Sequence, residues 1–366
     1  MEYSLRPTII NLKKNSYAQE TNIESSYEIL DCSIGTNPFG YCTEVKNALS
    51  NIHHEMINSY PESNNKLKNC IINFWQDLIE LGDENILLGD GSIDILYKTN
   101  RLFLDNNSKV LGYSPQFSDY IDDVTSYGSI YDYELMSSEN NYKFVPEAFL
   151  RKIQTTYKLI YLDNPNNPTG QIISISCIEE IVKQARRKGL CVIIDEAYGD
   201  FMDKRNSAIS LIEKYNNIFV LRTFSKGFGL AGLRGAYLVT SKTLSNYYRK
   251  ITNPYSMNSI ARYLAIIALK NSSFIEESKK KINDLKSNVI NSLEGLAVLH
   301  TSSTVPIMTI KHPDPEVDLQ KELLKHNILS VSGSGFIGLS KNFVRLRIPQ
   351  EVGYLSRSLA AVTNDL

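Results

Sequence analysis

The chain lacks several features that mark other classes of protein. Its five cysteines form no Cys-x-x-Cys pair, and their odd number favours free thiols over a disulfide framework. No run of about 18 apolar residues predicts a membrane span, and the polar N-terminus lacks the apolar core of a secretory signal. The net charge of −1 gives no bulk attraction to nucleic acid or to an anionic membrane. The five dispersed histidines predict no metal site. From the free thiols and the lack of a signal or membrane segment, we expect a cytoplasmic protein.

What the chain does have is length and an alternating pattern. With 366 residues, of which 42% are hydrophobic, it is long enough for two domains. Short apolar runs alternate with amphipathic segments, an order typical of an α/β protein with a mostly parallel central sheet and helices on both faces. The runs predicted as strands are residues 86–88, 110–111, 159–162, 192–194, 218–221 and 236–239.

After about residue 255 the pattern changes. A long helical stretch is predicted over residues 259–286, and short strands follow near 305–310 and 344–348. This order indicates a smaller α+β domain. We therefore predict a large cofactor-binding domain over residues 30–255. The small domain is predicted to consist of residues 256–366 completed by the N-terminal segment, residues 1–29.

One lysine stands among small hydroxyl residues and glycines, directly after the strand predicted at 218–221. The segment TFSKGFGLAGLR covers residues 223–234 and contains Lys226. Taken alone, such a loop is most often solvated surface. A lysine that bonds covalently to a cofactor aldehyde needs the same surroundings: room around its amine, phosphate donors nearby and a rigid strand behind it. Our hypothesis for Lys226 is a covalent link to pyridoxal phosphate (PLP).

Two further motifs also close predicted strands. NPNNPTG, at residues 164–170, forms a proline-fixed turn that aims Asn167 at the phenolic oxygen of a pyridine ring. DEAY, at residues 195–198, places a carboxylate where it is costly unless paired, and a pyridinium N–H is a fitting partner for Asp195. Tyr198 would reach the ring oxygen from the same side as Asn167. Each motif taken alone also fits ordinary structure, namely a turn, or an N-cap aspartate with a core tyrosine.

Two weaker signals lie earlier in the chain. GDGS, at residues 89–92, precedes a predicted helix whose free N–H groups suit an anion, so the backbone of Ser92 and Ile93 is the predicted phosphate cradle. YSPQF, at residues 113–117, offers Phe117 to stack on a cofactor ring, although a core aromatic is the more common meaning. Ligands of such sheets bind at the carboxyl ends of the strands, so all these motifs are expected at one edge.

In their order and position, NPNNPTG, DEAY and TFSKGFGLAGLR resemble the motifs of fold type I PLP enzymes of the aminotransferase class I/II superfamily. The resemblance covers roughly residues 28–350. It implies that Lys226 forms the internal aldimine and that Asp195 pairs with the ring nitrogen. It also implies that Asn167 and Tyr198 contact the ring oxygen, and that Phe117 stacks on the ring. The residues implied in binding the cofactor phosphate are Thr223, Ser225 and Arg234, together with Ser92 and Ile93.

The resemblance extends to subunit contacts and to the substrate. Tyr60 matches a tyrosine that in the family reaches the phosphate of the neighbouring subunit, which implies a homodimer with shared active sites. A substrate carboxylate is expected to meet an arginine fork near the C-terminus. Arg345 and Arg347 are two apart on a predicted strand and so point to one face. Family spacing favours Arg345, and Arg347 is either a surface residue or a second substrate contact. Asn37, in the Asn-Pro-x-Gly loop, is a further candidate for binding substrate.

Two branches of the superfamily look closest, the histidinol-phosphate aminotransferases and the threonine-phosphate decarboxylases. The lysine segment and Tyr198 favour the first, whereas residues 31–40 and 336–339 favour the second. Both branches usually carry an arginine for the substrate phosphate where this chain has Val331. We predict an aminotransferase that acts on an amino acid or similar amine and a 2-oxo acid or carbonyl acceptor. The alternatives are a PLP-dependent decarboxylase of an amino acid or its O-phosphate, and a non-catalytic PLP-binding module.

Overall fold

The computed structural model describes residues 5–10, 12–15 and 29–364, with the backbone alone at 363 and 364. The described strands, in chain order, are β1 (Leu30–Asp31), β2 (Ile86–Gly89), β3 (Lys109–Ser114), β4 (Ile130–Leu135), β5 (Leu159–Asp163), β6 (Cys191–Asp195), β7 (Ile218–Thr223), β8 (Ala236–Thr240), β9 (Ala297–Val298), β10 (Ile307–Lys311), β11 (Ile328–Leu329), β12 (Val331–Ser332) and β13 (Phe343–Arg347). The described α-helices are α1 (Pro7–Ile10), α2 (Thr43–Ala48), α3 (His54–Asn58), α4 (Asn65–Trp75), α5 (Ser92–Phe103), α6 (Ser118–Ser126), α7 (Pro146–Lys152), α8 (Ile175–Arg187), α9 (Lys242–Arg249), α10 (Ser259–Lys270), α11 (Ser273–Asn291), α12 (Leu319–Lys325) and α13 (Val352–Asn364). None of these helices has both the length and the apolar composition that crossing a membrane requires.

A seven-stranded sheet forms the centre of the fold, in the order β2-β8-β7-β6-β5-β3-β4. The strands from β7 to β4 run parallel, whereas β8 runs antiparallel to both of its neighbours. Successive residues of β5 face opposite sides of the sheet, as the period of a strand requires. Ile160 and Leu162 join the apolar core beside α8, and Leu159 and Tyr161 join the core beside α5 and α6. The predicted α/β fold class, with helices on both faces of the sheet, is confirmed.

Helix α8 illustrates how the local sequence places an element on this sheet. Its N-cap Ser174 accepts a hydrogen bond from the backbone N–H of Cys177 at 3.4 Å, and Gly189, at a φ of +75°, follows its C-terminus. Apolar residues spaced by three and four positions give the helix one buried stripe. The buried residues of that stripe are Ile178, Ile181, Val182 and Ala185.

Parallel pairing brings several strand ends to one edge of the sheet. Strand β5 ends at Asp163, β6 ends at Asp195, and β7 ends at Thr223. Asp163 and Asp195 are partners in the strand register, so their side chains lie on the same face. The N-terminus of α5, at Ser92, follows β2 at this same edge. The fold therefore gathers the predicted motifs in one place.

A smaller sheet lies in the C-terminal part of the chain, in the order β12-β13-β10-β9, and β1 pairs in parallel with β11. The prediction of one long helical stretch over residues 259–286 is wrong. Asn271 leaves helical geometry, with φ −118° and ψ 37°, so the chain forms α10 and α11 instead. Helix α10 packs with the core of the large sheet through Ala261, Leu264 and Ala268. The division at residue 255 stays a prediction, and most of the N-terminal segment assigned to the small domain lies outside the described residues.

Candidate active site

A cavity of about 210 Å³ opens at the carboxyl edge of the large sheet. Nine of the predicted site residues line it, namely Ser92, Ile93, Phe117, Asn167, Asp195, Tyr198, Ser225, Lys226 and Arg234. A larger cavity, of about 600 Å³, lies against α4, α10 and the start of α11, but none of the predicted site residues lines it. We take the smaller cavity as the candidate active site because the chemically reactive side chains converge there.

The lysine loop is held by hydrogen bonds on both sides of Lys226. The hydroxyl of Thr223 lies 2.9 Å from that of Ser225 and accepts the Ser225 N–H at 3.1 Å. The carbonyl of Lys226 accepts the backbone N–H groups of Asn37 and Gly229, each at 3.1 Å. The Lys226 amine projects into the cavity and lies 5.3 Å from the centre of the Tyr198 ring. A flexible side chain therefore starts from a fixed backbone.

A buried ion network supports this loop from behind. Arg222 of β7 donates to Glu196 at 3.0 Å and also to Asp200, and all three side chains are nearly inaccessible to solvent. Gly227 packs directly on Asp200, where an added Cβ would come within 2.3 Å of the aspartate Cβ. The network and the glycine together position the loop relative to the sheet. Neither Arg222 nor Asp200 was among the site residues predicted from the sequence.

The N-terminus of α5 and Arg234 form a cradle for an anion. Gly91, the residue before the helix, has a φ of +93°, and a Cβ there would lie 2.6 Å from Nη2 of Arg234. Arg234 itself adopts the left-handed conformation, with φ +55°, and none of the ion pairs between described residues includes it. The first N–H groups of a helix have no partner within the helix and attract negative charge. The backbone at Ser92 and Ile93, the Ser225 hydroxyl and the Arg234 guanidinium thus fit a phosphate.

Asp195 is a buried carboxylate that lacks a cationic hydrogen-bond partner among the described residues. It accepts from the backbone N–H of Ala197 at 3.0 Å and from the Tyr161 hydroxyl at 3.2 Å. Burial raises the pKa of Asp195 to about 7, the negative charge of Asp163 adds to the rise, and the Lys226 ammonium opposes it. A protonated ring nitrogen would supply the missing positive charge.

The Tyr198 hydroxyl is buried and has no hydrogen-bond partner within the described part of the chain. A buried hydroxyl is costly in this state, so its position fits an acceptor on a bound group. Burial raises the pKa of Tyr198, although the Arg345 charge opposes the rise. Gly35 covers the hydroxyl so closely that a Cβ there would lie 1.9 Å from it. Gly35 was not singled out from the sequence, since the contact joins residues 163 positions apart.

Asn167 is oriented by a hydrogen bond from Arg345. Arg345 is 1% exposed and donates to Oδ1 of Asn167 at 3.0 Å, and it also donates to the carbonyl of Ser33. Because the amide oxygen accepts from Arg345, the amide nitrogen is the end that can donate to a ring oxygen. Arg347 lies on the same strand and donates to the carbonyl of Asp31 at 2.5 Å. Neither arginine lines the cavity directly.

Besides the two arginines, Asn37 and Tyr60 also lie away from the cavity wall. The amide nitrogen of Asn37 donates to the carbonyl of Gly227 at 2.9 Å and to the hydroxyl of Ser278 at 3.0 Å, so this side chain braces the lysine loop. Tyr60 is 77% exposed and stacks on Tyr255, with ring centres 4.5 Å apart. Substrate binding by Asn37 and phosphate binding by Tyr60 stay predictions.

Among the cavity-lining residues that were not predicted from the sequence, Asp163 is the ionisable one. It lies 3% exposed at the end of β5, beside Asp195, and lines the cavity. The available signal was a carboxylate directly before the Asn-Pro motif, at the end of an apolar run. Among the described residues no group of three or more His, Cys, Asp or Glu is arranged to hold a metal ion.

The chain is similar to proteins of known family. A family model described as "Aminotransferase class I and II" matches residues 27–358. The histidinol-phosphate aminotransferase of Methanococcus aeolicus is 29% identical over 343 residues, which are 92% of this chain and 89% of the relative. The solved structure of the histidinol-phosphate aminotransferase from Clostridium acetobutylicum has a TM-score of 0.81 at 27% identity, over 92% of this chain and 100% of that one.

A second solved structure agrees in fold. The histidinol-phosphate aminotransferase from Sinorhizobium meliloti, in complex with pyridoxal-5'-phosphate, has a TM-score of 0.82 over 100% of this chain and 99% of that one. Its sequence identity is 21%, so the likeness is one of fold alone.

Proposed function

This chain belongs to the class I and II aminotransferase family, and from that membership we propose that it works with PLP linked to Lys226. The family resemblance inferred from the motifs is confirmed, and the chain is an aminotransferase. The proposed substrates are an amino acid or related amine and a 2-oxo acid or carbonyl acceptor. The observation that carries the proposal is the convergence in one cavity of Lys226, Asp195 and the Tyr198 hydroxyl, which has no hydrogen-bond partner among the described residues.

The side chains of the cavity fit the chemical groups of PLP one by one. Asp195 suits the ring nitrogen, because a buried carboxylate needs a positive partner. The hydroxyl of Tyr198 and the amide nitrogen of Asn167 suit the ring oxygen. Arg234 and the N-terminus of α5 suit the phosphate, and Phe117 lines the same cavity as a stacking partner. Thr223 does not line the cavity but holds the Ser225 hydroxyl in place.

PLP, when bound, supplies an aldehyde carbon that exchanges amines and a ring that accepts the electron pair released at the substrate α-carbon. The chain's own residues do the rest. Lys226 Nζ is the proposed base that takes the proton from the substrate α-carbon. It would donate that proton to the carbon that comes from the PLP aldehyde. The fixed loop restricts where the proton can move. The Asp195 carboxylate holds a proton on the ring nitrogen. Tyr198 and Asn167 orient the ring oxygen, so the ring plane stays fixed during proton transfer.

The proposed substrate contact is Arg345. Its guanidinium is buried, touches Asn167 and forms a planar fork suited to a carboxylate. Val331 is the register partner of Arg345 and is 5% exposed. Its side chain supplies no positive charge at the position where the two branches named above usually carry a phosphate-binding arginine. These two residues favour an amino donor with a carboxylate. Arg347 and the turn at residues 333–335 are the groups left to bind a phosphate if the donor carries one.

A single-turnover experiment tests the proposed function. The PLP-loaded protein is mixed with a panel of amino donors, including histidinol phosphate and the common amino acids, and the absorbance of the cofactor is followed. We expect stoichiometric conversion of the cofactor to its amine form with at least one donor, together with release of the matching carbonyl product. Carbon dioxide release without the amine form would establish the decarboxylase instead. Bound cofactor with no reaction on any amine would establish the non-catalytic module.

The cradle around Gly91 gives a prediction about cofactor affinity. Gly91→Ala is expected to destabilise the protein by about 1–3 kcal/mol, because alanine is strained at a φ of +93°. Its methyl group also meets Arg234, so PLP affinity is expected to fall about tenfold, the equivalent of about 1.4 kcal/mol. Thermal unfolding and equilibrium titration with PLP measure the two effects.

Gly232→Ala is the matched control for this prediction. Gly232 lies two residues from Arg234, and a Cβ there meets nothing within 4 Å. Its stability is expected to change by less than about 0.5 kcal/mol, with unchanged PLP affinity. Equal losses of affinity in the two variants would contradict the proposed phosphate cradle.

A homodimer with shared active sites is part of the proposal. Tyr60 and Tyr255 are 77% and 57% exposed, and their stacked rings form an aromatic pair on the surface of the single chain. Exposed aromatic rings of this size are typical of interfaces. We propose that Tyr60 reaches the cofactor phosphate held by the partner subunit.

A further inference from the structure

Asp163 gives the cavity a second buried carboxylate beside Asp195. The two residues end adjacent parallel strands, are register partners, and are 3% and 4% exposed. Both line the cavity. In-register residues of parallel strands project to the same face, so the two carboxylates lie on the same side of the sheet. A pair of like charges in a buried site is costly and requires a physical account.

The hydrogen-bond partners of Asp163 are all neutral. Its Oδ1 accepts from the Tyr113 hydroxyl at 2.7 Å and from the amide nitrogens of Gln116 at 2.8 Å and Asn166 at 3.1 Å. Its Oδ2 accepts the backbone N–H of Asn167 at 2.9 Å. No ion pair between described residues includes Asp163. Burial raises the pKa of Asp163, and these donors oppose that rise by favouring the ionised carboxyl without neutralising its charge.

The charge of Asp163 acts on several neighbouring ionisable groups, of which Asp195 and Tyr198 line the cavity. It raises the pKa of Asp195 and opposes ionisation of the surrounding tyrosines, whereas the positive charge of Lys226 acts on Asp195 in the opposite direction. Burial is the main cause of the raised pKa of four tyrosines, and the Asp163 charge adds to each rise; they are Tyr113, Tyr131, Tyr161 and Tyr198. Arg345 reaches the same region through its bond to Asn167.

We propose that Asp163 is a positioning residue for the reaction, acting through Asp195 and through Asn167. Its negative charge beside Asp195 strengthens the hold on the proton of the PLP ring nitrogen. Its hydrogen bonds to Asn166 and Asn167 fix the turn that presents the Asn167 amide to the ring oxygen. The inference rests on the proposed function, since it assumes that PLP occupies this cavity. It adds a second carboxylate to the one that the motifs predicted.

The charge effect is measurable without cofactor. In the apoprotein, Asp163→Asn removes the neighbouring charge, so the pKa of Asp195 is expected to fall by about one unit. Asparagine retains the shape of the side chain, and its amide oxygen can still accept the backbone N–H of Asn167. Carboxyl ¹³C chemical shifts of labelled aspartate, followed against pH, give the pKa directly.

Tyr113→Phe is the matched control. It removes the hydroxyl that donates to the carboxylate and to the backbone carbonyl of Asp163, and it keeps both the carboxylate and the ring. A purely structural role for Asp163 predicts similar changes in the two variants, whereas a charge effect predicts the Asp195 shift in Asp163→Asn alone. In the PLP-loaded protein, the pH at which the cofactor absorbance changes is expected to move down by about one unit in Asp163→Asn. We expect kcat to fall about tenfold, with KM for the amino donor nearly unchanged.

An Asp195 pKa that is the same in Asp163→Asn and in the unaltered protein overturns the inference, even if the protein binds PLP and turns over. If Asp163→Asn fails to fold, titration of the unaltered apoprotein shows whether the carboxyls of Asp163 and Asp195 are coupled. Coupled carboxyls titrate in two separated steps that both sites report, whereas independent single steps overturn the inference. Failure of the unaltered protein to bind PLP is a separate result, which would overturn the proposed function and is seen before any variant is made.

Discussion

Replacing Lys226 with alanine is expected to abolish the covalent attachment of PLP and to slow turnover by about 10⁴-fold or more. The variant loses both the amine that bonds to the aldehyde and the base that moves the α-proton. Its fold should persist, because the backbone bonds of residue 226 to Asn37 and Gly229, which help to hold the loop, remain in the variant. Borohydride reduction followed by peptide mass analysis measures the attachment, and single-turnover kinetics measure the rate.

Lys242→Ala is the control for Lys226→Ala. Lys242 has a 73% exposed side chain and lies outside the cavity, so its loss should leave attachment and rate unchanged. Cofactor that is still fixed by borohydride in Lys226→Ala would mean that another lysine carries the link.

Lys226→Ala also tests the shared active site when it is mixed with Tyr60→Ala. Each variant homodimer lacks one part of every active site. In a hybrid dimer, one site combines Lys226 of one subunit with Tyr60 of the other and is complete. Random mixing makes half of the dimers hybrids, so about one quarter of the normal activity should return. Activity that stays at the level of the separate variants would contradict the proposed role of Tyr60.

Replacing Asp195 with asparagine is expected to leave the Lys226 link intact and to slow turnover by about 10³-fold. The amide cannot hold the ring nitrogen in its protonated form, so the ring accepts electrons less well. Absorbance of the bound cofactor and single-turnover rates separate these two effects. Near-normal turnover would refute the assignment of Asp195 to the ring nitrogen.

The apoprotein offers a second measurement on Asp195. A pKa raised to about 7 means that the folded protein binds more protons than the unfolded chain between about pH 4 and pH 7. The stability contributed by this group therefore falls as pH rises through that window. Asp195→Asn removes the titration, so the variant apoprotein should lose less stability from pH 5 to pH 8. Chemical denaturation at the two pH values provides the comparison.

Glu196→Gln is the matched control for Asp195→Asn. Glu196 is the next residue, but its carboxylate turns away from the cavity to bond Arg222, Ser207 and the N–H of Ala208. Its loss should destabilise the fold by about 3 kcal/mol, because it weakens a buried charge network. The rate per folded molecule should change far less than in Asp195→Asn. The contrast separates chemistry from support at adjacent positions.

Local signals in the sequence predicted the central sheet and, by motif, most of the residues that line the cavity. The alternation of apolar runs and amphipathic segments predicted the α/β sheet, and α5 begins at Ser92 as expected. Lys226, Asp195, Tyr198 and Asn167 were selected because each stands in a short motif directly after an apolar run, and all four line one cavity. The exception among local signals was the helix predicted over 259–286, where the break at Asn271 carries no glycine or proline to announce it.

The sequence by itself thus determined the fold class, the motifs and the order in which they meet the sheet edge. These follow from side-chain period and turn chemistry within a few residues. Only the tertiary structure decided the electrostatics of the site. The pairing of Asp163 with Asp195 depends on strand register, the bond from Arg345 to Asn167 joins residues 178 positions apart, and the contact of Gly35 with Tyr198 joins two different parts of the chain. Such contacts form only when the whole sheet and its covering layers are assembled, because no local pattern specifies which strand ends become neighbours.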